Sequence, residues 1–311
     1  MSIGHAVLLF LIFPGFLFTA VLGLLVSWVD RKVTARVQFR VGPPFYQGFA
    51  DFFKLLGKET IMPKGASRLA FLGAPLMGLA AVTLASTILI AGMVWPNQSF
   101  AGDLIVVFYL LAIPSLAIIM GGAASKNALA SLGSSREMKL VLSYELPLIL
   151  AILVPVIQSG GRLRIGELVN YQMTHGAFAW SLSGIIALLV SILCLQGKLG
   201  LVPFDQAEAE TEIMGGALVE YSGPPLAMFK LQKAMMLVAM PAFVLAVLWG
   251  GLGSSISSFI LGLVKYLILI VLVTLIRNTN PRVRIDQVMK FFWGLVSVFA
   301  VLAAILAVLG I

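Results

Sequence analysis

The chain of 311 residues is 60% hydrophobic and 11% charged, with a mean hydropathy of +1.05. A soluble domain of this composition would lack the polar surface to cover its core, so the composition predicts a polytopic membrane protein. The net charge of +8 comes from basic residues in the loops between the apolar runs, where it reflects membrane topology. No nucleic-acid partner is therefore expected.

The residue types that usually hold redox centres are scarce. Cys194, the single cysteine, lies in an apolar run, so this chain alone builds neither a disulfide framework nor a cysteine-ligated zinc or iron–sulfur cluster. His5 and His175 lie far apart near segment ends, which favours interfacial histidines over haem ligands. We therefore expect no cofactor or metal in this chain and any redox chemistry in a partner.

Runs of about 20 apolar residues cross the hydrocarbon core of a bilayer as helices, and such runs predict an all-α fold in a single membrane domain, 1–311. The first run, Ala6 to Val29, has neither a basic leader nor a clear cleavage site, so we interpret it as a retained span. The eight predicted spans are residues 6–29, 70–95, 104–125, 140–159, 177–196, 225–249, 256–276 and 291–310.

Lysines and arginines concentrate in alternate connections, and positive loops stay on the cytoplasmic side. The basic connections hold Arg31, Lys32, Arg36, Arg40, Lys54, Lys58, Lys64 and Arg68, then Lys126, Arg136 and Lys139, then Lys198, and finally Arg277, Arg282, Arg284 and Lys290. The opposite connections hold Arg162 and Arg164. This pattern predicts a cell-membrane protein with both termini outside and the loops 30–69 and 197–224 in the cytoplasm.

The first cytoplasmic loop carries a helical pattern. Its aromatic and apolar residues recur at helical spacing, and its polar residues take the other face, which predicts an amphipathic helix at the membrane surface. The apolar set is Phe45, Phe49, Phe52, Phe53 and Leu56, and the polar set is Gln47, Asp51, Lys54 and Lys58. The pattern fits a helix resting on lipid and a helix docking a partner equally well.

Ionisable residues inside predicted spans are candidates for function, because a charge at the bilayer centre costs about 2.5–3.5 kcal/mol on insertion scales. Glu145 lies early in the fourth span, Lys230 and Lys233 stand three apart in the sixth, and Lys265 lies near the middle of the seventh. Glu145 and Lys230 could instead reach the interface. For Lys265 a role in ion movement is favoured over a buried structural pair.

The stretch Val202 to Gly223 contains five of the 13 acidic residues. Asp205 and Glu208 have the spacing of a helix N-cap and its partner, so capping alone could explain them. It leaves Glu210, Glu212 and Glu220 unexplained. In a helix or an extended loop such carboxylates lie close enough to interact as a proton relay, and ion pairs with the basic loops are the alternative.

Several separated motifs together resemble one family, the large quinone-site membrane subunit of respiratory complex I and its relatives in energy-converting membrane-bound [NiFe] hydrogenases. The motifs are Asp30-Arg31-Lys32, Gln38-x-Arg40-x-Gly42-Pro43, Gln47 with Ala50-Asp51-x-x-Lys54-Leu55-x-x-Lys58-Glu59, Ser143-Tyr144-Glu145, Pro203-Phe204-Asp205-x-x-Glu208-Ala209-Glu210, and Glu220-Tyr221-Ser222-Gly223. Quinone-reducing members carry an insertion between the Gly-Pro pair and the glutamine. The direct run from Gly42 to Gln47 resembles the hydrogenase branch, including its ferredoxin-linked sulfane-sulfur reductases.

The resemblance implies a non-catalytic subunit that couples electron transfer from ferredoxin to proton or sodium movement. It implies peripheral hydrogenase-like large and small subunits, an iron–sulfur subunit and antiporter-like membrane subunits as partners, with the nickel–iron site and the iron–sulfur clusters in those partners. The expected ion path comprises Glu145, Glu208, Glu210, Glu212, Glu220, Lys230, Lys233 and Lys265. The expected surface for docking the peripheral redox subunits comprises Asp30, Arg31, Arg36, Arg40, Asp51, Lys54, Lys58 and Asp205.

Four alternatives remain open at this point. The chain could be the quinone-binding subunit of a complex I-like dehydrogenase, a subunit of a sulfane-sulfur reductase, a self-sufficient ion transporter that uses the same buried charges, or a passive membrane anchor. A lone chain that transports ions in liposomes would favour the transporter. An anchor should tolerate neutralisation of every charge inside its spans.

Overall fold

The computed structural model describes residues 3–253 and 255–311, without the side chains of Ile3, His5, Ala6, Glu210 and Thr211. Over these residues the fold is all-α, as the sequence predicts. The helices are α1 Ile3–Leu11, α2 Phe16–Val37, α3 Gln47–Leu56, α4 Arg68–Val94, α5 Asp103–Leu110, α6 Ile113–Ala124, α7 Ala128–Gln158, α8 Ile165–His175, α9 Leu182–Lys198, α10 Glu210–Ile213, α11 Gly223–Leu248, α12 Ile256–Thr279, α13 Ile285–Lys290 and α14 Ser297–Val308.

Seven stretches in the described ranges are long and apolar enough to cross a membrane: Val7–Val37, Arg68–Val94, Asp103–Ala124, Ala128–Gln158, Gly223–Leu248, Ile256–Thr279 and Ile285–Val308. The remaining predicted span corresponds to α9, which is apolar but has 17 residues. The expectation of about eight transmembrane helices agrees with this arrangement.

The central helix of the bundle is α11, which is buried along most of its length and packs against α2, α4 and α12. Its sequence is apolar on all sides except at Lys230, Gln232 and Lys233, as expected for a helix surrounded by other helices. A Cβ atom at Gly23 of α2 would lie 2.7 Å from the backbone of Ala234. The glycine therefore allows α2 and α11 to pack with their backbones in contact, as small residues do in membrane bundles.

Helix α7 is the longest of these helices and begins well before its apolar run. The Asn127 side chain caps it by accepting a hydrogen bond of 2.8 Å from the Leu129 N–H. Its 31 residues extend over about 46 Å, more than the roughly 30 Å of hydrocarbon in a bilayer. The first third of α7 therefore brings polar side chains to the level of the loops.

The loop between α9 and α11 is mostly irregular. Its single helical turn, α10, spans Glu210–Ile213. No helix begins at Asp205, so the interpretation of Asp205 and Glu208 as an N-cap and its partner is wrong. Both residues instead form ion pairs, described below.

The predicted amphipathic helix of the first loop is confirmed as α3, which has no fully buried residue and lies against α2 and α11. The indole N–H of Trp28 donates a hydrogen bond of 3.0 Å to the Pro43 carbonyl just before this helix. That bond fixes the Gly42-Pro43 turn to α2.

The last span contains a π-helical turn, Phe291–Val296, between α13 and α14. The hydroxyl of Ser297 donates to the Phe292 carbonyl at 2.7 Å. Such turns insert an extra residue into a helix and occur frequently beside functional sites. Here the turn directs the Phe292 ring into the core, against Tyr144 and Phe204.

Candidate functional site

A small polar cavity lies between α6, α7, α9, α11 and the loop that follows α9. Its volume of about 30 Å³ is enough for one or two water molecules. The charged side chains that line it are Glu137, Lys198, Asp205, Glu208 and Lys233. Five ionisable groups around so small a space within an apolar bundle make this cavity the candidate site.

On the loop side of the cavity, Lys233 of α11 forms an ion pair with Glu208. Asp205 and Glu137 are the next negative charges around the same lysine. Asp205 is also paired with Arg282, at 2.5 Å. The loop therefore contributes two carboxylates to the cavity, each held by a cation from a different part of the chain.

Glu137 of α7 is 4% exposed and is the most deeply buried carboxylate of the cavity. The Ser115 hydroxyl of α6 lies beside its carboxylate and beside the Tyr144 phenol. The Tyr144 hydroxyl is itself fully buried and has no hydrogen-bond partner among the described atoms. Ser115 thus lies close to both the Glu137 carboxylate and the unsatisfied Tyr144 hydroxyl.

Lys198, the last residue of α9, is 4% exposed, and its side-chain nitrogen has no hydrogen-bond acceptor in the described part of the chain. It lies 4.9 Å from the centre of the Phe108 ring and 5.8 Å from that of Tyr144. Aromatic faces attract a cation at these distances, but they do not replace the hydrogen bonds that the amine loses on leaving water.

Glu145 is a charged neighbour of both Lys198 and Tyr144. It is half-buried and follows Glu137 by eight residues on α7, a rise of about 12 Å. Within the described structure no hydrogen bond reaches its carboxylate. The ionisable groups therefore form a series from Glu208 and Lys233 through Glu137, Tyr144 and Lys198 to Glu145.

Chemically, such a series can pass protons by short steps. Chains of carboxylate, amine and hydroxyl groups inside a membrane bundle mark proton and ion pathways, because a charge is tolerated there only when it pairs or serves the transport itself. The cavity supplies the water-sized space in the middle of the series. No covalent catalyst is needed for this chemistry.

The remaining acids of the loop attach it to the bundle. Glu212 pairs with Arg136 at 2.5 Å, and Glu220 accepts a hydrogen bond of 2.5 Å from Asn127, the cap of α7. Glu212 and Glu220, both predicted for the ion path, thus contact the N-terminal part of α7 and do not line the cavity. The side chain of Glu210 lies outside the described atoms, so its role in the ion path stays a prediction.

Tyr221 anchors the end of the loop between α9 and α11, residues 199–222, which we call the acidic loop. Its ring stacks on Phe71 with 4.1 Å between the centroids, and its hydroxyl donates to the Phe71 carbonyl at 2.9 Å. Burial raises the pKa of the Tyr221 phenol, which keeps the phenol protonated and able to donate. The loop is thus fixed at both ends, at Asp205 and at Tyr221.

Two lysines predicted for the ion path lie away from the cavity. Lys230 is exposed near the start of α11. The Lys265 amine donates a hydrogen bond of 2.8 Å to the Trp249 carbonyl, just past the C-terminus of α11, where a cation is favourable to the helix dipole. This contact satisfies the amine, and a role for either lysine in ion movement stays a prediction.

The predicted docking residues fall into two groups. Asp30 is buried between α2 and α12, where it accepts hydrogen bonds from Arg277 at 2.7 Å and Thr274 at 3.0 Å. It therefore joins two helices and is not itself at the surface. Arg31 pairs with Asp51 at 3.3 Å on the exposed side of α3.

The second group is basic, exposed and without an acidic partner among the described residues: Arg36, Arg40, Lys54 and Lys58. These four side chains, which we call the basic surface, lie on the end of α2, the turn after it and α3. They are positioned on the loop side of the protein, together with the acidic loop.

Glu137 and Lys198 were missed by sequence reasoning, which placed them outside the predicted spans. A signal was available in the spacing. Glu137 precedes Glu145 by eight residues and Tyr144 by seven, so all three lie near one side of a continuous helix. Extending the fourth span toward its N-terminus would have grouped them.

The same sequence matches known proteins over nearly its whole length. Residues 8–308 match the NADH dehydrogenase family. The chain belongs to the NADH dehydrogenase subunit 1 family. Members of that family are membrane subunits of respiratory oxidoreductase complexes. The matched range includes every helix that contributes to the cavity.

Two relatives of this family member are informative. It is 33% identical over 300 residues to a subunit of the NADH-quinone oxidoreductase of Dehalococcoides mccartyi, covering 93% of this chain and 82% of that protein. It is also similar to a chain in the structure of the membrane-bound sulfane sulfur reductase, an archaeal respiratory membrane complex. That similarity has a TM-score of 0.87 at 29% identity and covers 98% of this chain and 100% of the other.

Proposed function

We propose that this family member is the membrane subunit that docks the redox arm of an energy-converting respiratory complex and forms the first part of its ion path. The observation that carries the proposal is the polar cavity, in which Glu137, Lys198 and the Lys233–Glu208 pair meet inside an apolar bundle. A passive anchor gains nothing from burying such groups, since each destabilises the bundle unless it is paired.

In this proposal, electrons stay in the partner subunits, and the redox arm acts on this chain electrostatically through the acidic loop. A change of charge in the redox arm next to the loop would alter the balance between Glu208, Lys233 and Glu137. A proton would then pass by way of Ser115 and Tyr144 toward Lys198 and Glu145. The basic surface on α2 and α3 would bind acidic side chains of the arm.

The finer assignment is to the hydrogenase-like branch, with ferredoxin as the electron donor and the nickel–iron site and iron–sulfur clusters in partner subunits. Two observations support it. The run from Gly42 to Gln47 is short. The chain is also similar in structure to the whole of the sulfane sulfur reductase chain, with a TM-score of 0.87. Antiporter-like membrane subunits would complete the ion path, and the termini would face outward.

A second candidate is the quinone-binding subunit of a complex I-like dehydrogenase, which the 33% identity to the quinone-linked relative favours. Purification of the intact complex from native membranes separates the two. Nickel, and ion transport driven by reduced ferredoxin in proteoliposomes, would support the hydrogenase-like assignment. Sulfane-sulfur reduction by a complex without nickel would assign the chain to a sulfane sulfur reductase. Quinone-dependent NADH oxidation would support the second candidate in place of the first.

A further inference from the structure

An apolar groove runs between α9, α12 and α14, on residues that do not line the polar cavity. Leu189 and Leu193 of α9, Leu272 and Ile276 of α12, and Phe299 of α14 form much of its lining, and all its lining side chains are apolar. Its volume is about 380 Å³. Between Ile186 and Leu193 the groove follows α9 for two turns, a distance of about 10 Å.

At the ends of these helices the groove continues into a second chamber of the same volume. We call the apolar part between α9, α12 and α14 the inner chamber and this second part the outer chamber. Leu193 and Ile276 line both chambers. The second chamber adds two amide side chains, Asn280 and Gln287, and the Phe291 ring. Together the chambers form one elongated groove that is apolar within the membrane and polar where the helices end.

Two cations are close in sequence to Gln287, which lines the polar end. Arg284 and Lys290 flank Gln287 in sequence, and both are exposed. Two carboxylates lie in this region: Asp286, 3.5 Å from the Arg284 side chain, and Asp205, which pairs with Arg282. None of the carboxylates that the structure describes pairs with Lys290. The polar end of the groove therefore has an excess of positive charge.

We propose that this groove binds an anionic phospholipid, with an acyl chain between α9, α12 and α14 and its phosphate near Arg284 and Lys290. Basic pockets between transmembrane helices on the cytoplasmic side bind anionic lipid headgroups. The length and apolar lining of the groove suit an acyl chain, and the cations near its polar end suit a phosphate, whereas an apolar partner helix would leave those cations without a counter-charge. An uncharged quinone would not use the cations.

The proposed lipid site adjoins the functional cavity at two consecutive residues, Phe204 and Asp205. Phe204 lines the outer chamber, and the next residue, Asp205, lines the polar cavity. The Phe204 ring packs against Phe291 at 5.8 Å and Phe292 at 4.8 Å between centroids. A lipid in the groove would therefore support the segment that presents Asp205 to Arg282 and the cavity.

The test uses the intact complex, washed with detergent until its bound lipid is removed. Phosphatidylglycerol and phosphatidylcholine with identical acyl chains are titrated separately, with a short-chain ubiquinone as a third ligand. Native mass spectrometry counts the bound molecules, and thermal unfolding measures the stabilisation that a ligand of the folded state produces. The variants are Leu193→Trp, which fills the inner chamber, and the exposed double variant Arg284→Gln/Lys290→Gln.

The matched control is Leu302→Trp, an equal change at a lipid-facing residue of α14 that lines neither chamber. We expect one tightly bound phosphatidylglycerol in the native complex and in the control, and its loss in Leu193→Trp. We expect roughly 30-fold weaker binding in the charge variant, because it removes two basic residues that each contribute about 1 kcal/mol near a headgroup. The charge variant changes only exposed side chains, so it remains informative if Leu193→Trp fails to fold.

Three outcomes would overturn the proposal. Equal retention of the two phospholipids in all variants would indicate only a surrounding belt of exchangeable lipid. Loss of binding in Leu302→Trp as well would remove the groove as the site. Displacement of the phospholipid by ubiquinone, with no effect of the charge variant, would assign the groove to an uncharged ligand.

Discussion

Lys233 of α11 forms an ion pair with Glu208 of the acidic loop, at the loop side of the polar cavity. Asp205 and Glu137 are the other negative charges around the lysine, so one cation faces three carboxylates. Loss of the lysine would leave mutually repelling charges in a partly desolvated space. The pair thus balances part of the negative charge that lines the cavity.

The first prediction concerns this pair. Lys233→Met should destabilise the complex, since Glu208 loses its partner beside two other acids, and the double variant Lys233→Met/Glu208→Gln should recover part of the loss. We expect a coupling of about 1–2 kcal/mol, because both side chains are partly exposed. Thermal unfolding of the four forms in a double-mutant cycle measures it. Purely additive effects would show that the two side chains do not interact.

The second prediction separates stability from function at Lys198. Its amine is buried without a hydrogen-bond acceptor among the described residues, and Met has a similar shape without a group that needs one. Replacing a buried charge by a well-packed apolar side chain is often neutral or stabilising by about 1–4 kcal/mol. Lys198→Met should therefore keep or raise the melting temperature while ion transport falls.

The control for Lys198→Met is Lys198→Arg, which keeps a cation and should retain more transport. A purely structural lysine would give the opposite result. In that case Lys198→Met would lower the melting temperature and leave the ratio of ions moved to electrons transferred unchanged.

The third prediction concerns Tyr221. Tyr221→Phe keeps the stack on Phe71 but removes the hydrogen bond to the Phe71 carbonyl, so it should destabilise the protein by about 1 kcal/mol. Because burial raises the pKa of this phenol, the folded state holds its proton more tightly than the unfolded state. The stabilisation is therefore present below the ordinary tyrosine pKa of about 10 and declines as the pH rises above it. Unfolding at neutral pH and at high pH should differ less in Tyr221→Phe than in the native protein.

The fourth prediction addresses docking. Changing Lys54 and Lys58 to Gln should weaken retention of the redox arm without affecting the helical bundle, because both side chains are exposed on or just after α3. The difference from the native complex should be largest at low salt and shrink as salt is added, since exposed charges are screened over about 8–10 Å at physiological ionic strength. Co-purification of the arm at increasing salt measures it. The same substitution at Lys139, exposed on α7, is the control, and equal retention in both variants would remove the basic surface from the interface.

The apolar runs predicted the helices well, because burying some 20 consecutive apolar residues leaves few alternatives to a span. They predicted the ends of the spans poorly. The fourth predicted span begins at residue 140, whereas α7 begins at Ala128. A helix can extend past its apolar run where other helices, and not lipid, cover its polar residues.

That difference explains what was missed at the site. Glu137 and Lys198 lie just beyond the apolar runs, so hydropathy assigned them to loops, whereas the fold buries both. The pairing of Asp205 with Arg282, 77 residues later, depends on how the acidic loop crosses the connection between α12 and α13. Local spacing favoured a helix cap for Asp205 because it contains no information on such a distant partner.

The central claim, that the polar cavity is part of the ion path, is tested most directly at Glu137. Ions moved per electron should be measured in proteoliposomes containing the complete complex, native or with Glu137→Gln, a change that keeps the shape of the side chain. We predict that transport falls roughly 100-fold, the scale at which a positioned proton-transfer group contributes, while the redox centres of the partners keep their spectra. Unchanged transport in Glu137→Gln, with the complex intact, would contradict the account.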